Sequence, residues 1–125
     1  MHNSPDTNAE MWHSEEMVQH WVTEATAQER NRTEQRRLMA ELLPFGEDQE
    51  FTFLDLGAGT GAASRAILER HPHATAILAD FSAQMMRAGE QQMLPFAGRY
   101  RTVEFDMTTG QWPAAIPASL DAIVT

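Results

Sequence analysis

The feature that most narrows the possible folds is FTFLDLGAGTGAASRAILERHP, residues 51–72. A β-prone apolar run, 51–56, ends beside the carboxylate Asp55 and passes at once into Gly57-Ala58-Gly59-Thr60-Gly61. Apolar residues then recur at helical spacing, from about residue 60 to His71-Pro72, where the proline stops them. The same order continues downstream. ATAILAD (74–80) reads as a second strand, Ser82 can cap a helix running to about Met93, and YRTVEFD (100–106) reads as a third strand. TTGQWPAAIPAS is a loop with at most a short turn of helix, and LDAIVT (120–125) reads as the opening of a fourth strand.

Strands that alternate with helices at this spacing imply parallel pairing through right-handed crossovers. The expected fold class is therefore α/β: a Rossmann-like, doubly wound, mostly parallel sheet, truncated after about four strands and preceded by N-terminal helices. Residues 1–13 are expected to be a flexible tail, 14–46 a helical segment and 47–125 the partial sheet domain. Within 14–46, Met17, Val18, Trp21, Val22 and Ala25 make one apolar stripe. A second helical stretch is expected over about 28–43, ended by Pro44. Trp12 and Trp21 are expected to pack the N-terminal helix against the sheet. A fourth strand at the end of the chain leaves an open sheet edge. The expectation is the first part of a longer protein, or a chain that completes itself by pairing, possible as a homodimer through that edge.

A formal net charge of -9 argues against nucleic acid as a partner, because phosphate binding relies on clustered basic residues. All basic residues are arginines; Arg30, Arg32, Arg36 and Arg37 lie together but are interleaved with Glu29 and Glu34, which suits a solvated helix face with short-range ion pairs. The sharper alternative is a small anionic substrate held by one or two of them. No unbroken apolar run has the length of a membrane span, and the N-terminus lacks a secretory pattern, so no membrane partner and a cytoplasmic address are the default expectations. With no cysteine, thiol chemistry and disulfides are excluded. His13 and His20 have no acids on their helix face and no metal site is assigned; His71 and His73 flank a proline and read as surface histidines. Met86 reads as core, Met85 as either core or site, and Asp121 as structural.

Ligands of an open parallel sheet bind beyond the carboxyl ends of its strands. Asp55, Asp80 and Asp106 mark those ends, and three carboxylates on one rim ask for a cationic or hydroxyl-rich ligand. A dinucleotide is one candidate, since Gly57, Gly59 and Ala62 satisfy G-x-G-x-x-G/A and Asp80 stands where an acid would bind a ribose. Asp55 counts against it, because it sets a negative charge beside the loop that must hold a pyrophosphate. S-adenosylmethionine is the other candidate: it has no phosphate and carries a sulfonium and an ammonium. Asp80 could then accept both ribose hydroxyls, and Asp106 a hydrogen bond from the adenine amino group.

At these residues the sequence resembles the class I S-adenosylmethionine-dependent methyltransferases. FLDLGAGTG is similar to their glycine-rich first motif, ADFSAQMM to the second-strand segment, EFDMTTGQWP to the third and LDAIVT to the start of the fourth. The resemblance covers residues 51–125. It implies a cofactor site at Asp55, Gly57, Ala58, Gly59, Gly61, Asp80, Phe81, Met85, Asp106, Met107 and Thr125, with Phe81 and Met107 against adenine and the end of the fourth strand leading to the reaction site. It implies S-adenosylmethionine as cofactor and S-adenosylhomocysteine as product.

The family's sheet has seven strands, so the segments that orient a methyl acceptor are not represented, and no catalytic residue can be named. The resulting expectation is the cofactor-binding part of a methyltransferase for a small-molecule acceptor, with weak or no turnover by these 125 residues alone. A non-catalytic S-adenosylmethionine- or S-adenosylhomocysteine-binding or assembly module, and an NAD-dependent oxidoreductase fragment, are the alternatives. Methyl transfer itself asks mainly for proximity and alignment, with a base only where the acceptor must lose a proton.

Overall fold

The computed structural model describes residues 15–125, leaving aside the side chains of Glu15, Met17, Val18, Trp21 and Val22. The expected tail, Trp12, His13, the packing of Trp21 and most of the Met17–Val22 stripe lie outside the described residues. The chain divides into two compact units, Met1–Gln35 and Arg36–Thr125.

One helix, α1 (Glu15–Leu42), replaces the two helical stretches expected there. The residues between them, Thr26 to Gln28, carry neither glycine nor proline, so nothing in the backbone interrupts the helix. In the first unit every described side chain of α1 is exposed, Ala25 and His20 included. Glu29 pairs with Arg32 at 3.6 Å, as expected of a solvated charged face.

The second unit is built on a four-stranded parallel sheet in the order β3-β2-β1-β4, where β1 is Phe51–Leu56, β2 Ala74–Asp80, β3 Tyr100–Glu104 and β4 Ala122–Val124. Strand order reverses direction at β1: the first crossovers proceed to one side, and the chain then returns to place β4 on the other. This reversal opens a crevice at the carboxyl ends of the strands, beside the glycine turn. Asp121 fastens β4 to β1, its carboxylate accepting from the Thr52 amide at 2.8 Å and its own amide donating to the Thr52 carbonyl at 2.9 Å.

Side-chain alternation divides the core by face. On one face Phe51, Phe53, Ala74, Ala76, Leu78 and Val124 pack with Ile67 and Leu68 of α2 (Ala62–Arg70), Met86 of α3 (Ala83–Ala88), Met93 of α4 (Glu90–Met93) and Ala40. On the other, Leu54, Ile77, Ala79 and Val103 pack with Phe105 and Ile116 of the 105–120 loop. Met86 is core, as expected, and Met85 is 48% exposed.

His71 departs from its reading as a surface histidine: it is 1% exposed. Its Nε2 lies 2.8 Å from the Ala40 carbonyl and its ring stands edge-on to Phe51 at 5.1 Å. A carbonyl only accepts, so Nε2 carries the proton and donates. Pro72 ends α2 and turns His71 inward beneath α1, a placement that a turn-flanking histidine in the sequence does not disclose. Arg99 closes the same corner, its Nη2 donating to the carbonyls of His71 at 2.7 Å and Leu68 at 3.0 Å.

The expected helix to Met93 is broken at Gly89 into α3 and α4. The third strand ends at Glu104 rather than at residue 106, and β4 is shorter than LDAIVT.

Candidate functional site

The turn after β1 holds a shape that only glycines take readily: φ is 77° at Gly57, 56° at Gly59 and 89° at Gly61. In front of Gly57 and Gly59 there is open space, with nothing within 4 Å of where a Cβ would stand. Gly61 is different: it is buried, and a Cβ there would meet Leu78 and Met93 at 3.0 Å. Gly57 and Gly59 thus expose bare backbone to a ligand, and Gly61 seats the start of α2 on the core.

The turn's amides are mostly committed to the protein itself. Gly57 and Ala58 donate to the Ala79 carbonyl at 2.8 and 3.1 Å, and Gly61 donates to the Ala58 carbonyl at 2.9 Å. Gly59 donates to Asp80 Oδ2 at 2.8 Å, while Asp80 Oδ1 accepts from the Ser82 amide at 2.9 Å. Asp80 is therefore fixed in one orientation at the end of β2. Each carboxylate oxygen has a second lone pair, so acceptor capacity remains for a hydroxyl-bearing ligand.

Asp55 is not on the rim with the other two acids. It points to the helix-covered face, is 3% exposed, and its Oδ2 accepts from Ser64 Oγ at 2.6 Å. Burial pushes its carboxyl above the ordinary carboxylate range; hydrogen bonds from the Ser64 side chain and backbone oppose this, and the nearby Asp80 charge adds to it. The expectation of three carboxylates on one rim is corrected to two, because strand alternation sends residue 55 to the same side as Phe51 and Phe53. Ser64 was not singled out from the sequence. The available signal was a serine in the first turn of the helix, where an acid at the strand end can meet it.

Asp106 lies beyond β3, where it caps a 3₁₀ turn, Met107–Thr109, and accepts from the Thr108 amide at 2.9 Å and hydroxyl at 2.6 Å. These bonds hold its carboxyl below the ordinary range. Ser82 caps α3, accepting from the Met85 amide at 3.2 Å. Phe81, Met85 and Met107 are apolar yet 75%, 48% and 54% exposed. Phe81 directly follows β2, Met85 lies on α3 and Met107 opens the 3₁₀ turn beyond β3. Thr125 follows β4 and is exposed. Among the described residues, no group of three acidic or histidine side chains is placed to hold a metal ion.

The strand order, the glycine turn and the acid at the end of β2 make a Rossmann-like α/β fold built on four parallel strands. Comparison with solved structures agrees. The chain is similar to CalO1, described as a methyltransferase in calicheamicin biosynthesis in its SAH-bound form: 21% identity, TM-score 0.55, covering 82% of this chain and 29% of that one. It is also similar to the pyocyanin biosynthetic protein PhzM (19% identity, TM-score 0.57, 93% and 32% covered). A third likeness is to RosA of Streptomyces davawensis, an N,N-8-amino-8-demethyl-D-riboflavin dimethyltransferase (18% identity, TM-score 0.57, 90% and 32% covered). The chain thus spans about a third of the length of these three structures, and the likeness is one of fold. No protein-family model and no curated protein matches the sequence.

Proposed function

We propose that this chain is the cofactor-binding part of an S-adenosylmethionine-dependent methyltransferase acting on a small molecule. The observation that carries the reading is the state of the glycine turn: the amides of Gly57, Ala58, Gly59 and Gly61 already donate to protein acceptors. A pyrophosphate needs free amides at a helix N-terminus. Here the first turn of α2 is instead met by the Asp55 carboxylate, through the Ser64 hydroxyl and amide. A pyrophosphate would meet few free donors and the Asp55 carboxyl behind the turn, whereas a ligand with no phosphate and a cationic end meets no such penalty.

S-adenosylmethionine, when bound, supplies a methyl group activated by a sulfonium. The residues fit it as follows. Gly57 and Gly59 leave open space for the amino-acid part. Asp80 is oriented to accept from the ribose. Phe81, Met85 and Met107 offer apolar faces to the adenine, and Asp106 an acceptor to its amino group. Ala58 and Gly61 shape the turn, and Asp55 acts from below by holding α2 and by its charge. Thr125 follows the strand that pairs with β1 on the side where strand order reverses.

Calorimetric titration with S-adenosylhomocysteine, with NADH in parallel, tests the reading. Binding of the first alone is expected, and weakened in Asp80→Ala. Binding of NADH in preference would replace this reading with the oxidoreductase one. Methyl transfer to candidate acceptors by a protein containing this chain then separates an enzyme from a module that binds without turnover.

A further inference from the structure

Gly89 has an ordinary helical backbone, φ -89° and ψ -4°, so its lack of a side chain is not explained by conformation. The explanation is contact. A Cβ at residue 89 would stand 2.1 Å from the Thr60 carbonyl oxygen, 2.7 Å from its carbon and 2.8 Å from the Thr60 Cα. These are backbone atoms of the glycine turn and cannot rotate aside. The same carbonyl accepts from Arg65 Nη1 at 2.7 Å.

We propose that Gly89 and Arg65 form a clamp on the Thr60 carbonyl that sets the distance between the glycine turn and α3, and that both are positioning residues for the ligand. The inference rests on the proposed function, in which one ligand spans the two segments: its amino-acid part lies at Gly57 and Gly59, and its nucleoside part at Asp80, Phe81 and Met85. Any side chain at residue 89 must open the gap from 2.1 Å toward the 3.4 Å of ordinary contact. A displacement on that scale misaligns groups that must engage together. Loss of the Arg65 donor frees the same carbonyl without inserting any atom. Arg65 is half-buried, and burial, followed by the nearby Arg36 charge, lowers its pKa, so a carbonyl partner offsets part of its desolvation.

The test uses Gly89→Ala, Arg65→Met and the conservative Arg65→Lys, with Gly46→Ala as a control, since nothing lies within 4 Å of a Cβ at Gly46. Two quantities are read. The first is the amide resonances of Gly59 and Gly61 in ligand-free protein. The second is affinity for S-adenosylhomocysteine relative to 5′-methylthioadenosine, which lacks the amino-acid part. Gly89→Ala is expected to move both resonances and to weaken S-adenosylhomocysteine by about tenfold or more while changing methylthioadenosine by less than about threefold. Arg65→Met should act in the same direction, with partial recovery in Arg65→Lys. A general loss of stability would weaken both ligands alike. Should folded Gly89→Ala and Arg65→Met leave the resonances and the ratio unchanged, the clamp is overturned. Failure of the wild-type protein to bind S-adenosylhomocysteine would sink the proposed function instead, and the clamp would then stand or fall on the resonances. If Gly89→Ala does not fold, Arg65→Met alone decides.

Discussion

Asp55 and Ser64 show how one side chain decides the chemistry of its neighbour. The carboxyl is buried and its pKa raised, chiefly by desolvation, so the folded chain holds its proton more tightly than the unfolded chain does. Between the ordinary carboxylate value and the raised one, the folded state binds more protons. Stability contributed by this group therefore falls as pH rises through that window and is level above it. Asp55→Asn removes the dependence, and its melting temperature should gain on the wild type as pH rises above the ordinary carboxylate value of about 4, read by circular dichroism. Ser64→Ala strands the carboxylate without its hydroxyl partner and should cost about 1–3 kcal/mol in denaturant unfolding near neutral pH. Asp80→Asn replaces one accepting oxygen with a donor facing either the Gly59 or the Ser82 amide. A loss of S-adenosylhomocysteine affinity of about tenfold, with a smaller loss for ligands lacking the ribose hydroxyls, is the expected calorimetric result.

At the scale of elements, what holds each piece in place differs in kind. α2 is stopped by Pro72 and tied down by Arg99 and His71, whose ring donates to the last buried carbonyl of α1 at Ala40. His71→Leu leaves that carbonyl without its donor and should lower stability by about 1–3 kcal/mol, with His71→Gln retaining more of it. α3 is short and depends on its cap; Ser82→Ala should cost about 1 kcal/mol and should loosen the Met85 end of the helix in hydrogen exchange. Element order, the glycine turn, the Ser82 cap and the stop at Pro72 were all legible in the sequence, because each rests on a local rule. The continuity of α1 and the break at Gly89 were not. The first needed only the absence of a breaker, and at the second a glycine is required by the closeness of Thr60, a residue nearly thirty positions away in the chain.

Across the whole sheet, β1 and β2 are central and β3 and β4 are edges. One face is covered by helices, while the other is covered by the 105–120 loop through Ile116 and Phe105. Protection from hydrogen exchange should therefore be greatest at β1 and β2 and least at β4, where Ile123 is 56% exposed. Phe53 is fully buried at the centre. Phe53→Ala should remove about 3–5 kcal/mol, a large share of the roughly 5–15 kcal/mol of an ordinary domain, and a near-wild-type melting curve would contradict this packing.

The sequence by itself determined the βα order, the parallel pairing and the place of the glycine turn, since periodicity, crossover handedness and glycine clustering are properties of short segments. Only the tertiary structure decided which acids meet a ligand. Asp55, Asp80 and Asp106 look alike along the chain, yet strand alternation buries the first against Ser64, two backbone amides orient the second, and a 3₁₀ turn exposes the third. The same holds for His71 and Gly89: their roles are set by the carbonyls of Ala40 and Thr60, and a contact between distant segments has no signature in either segment alone.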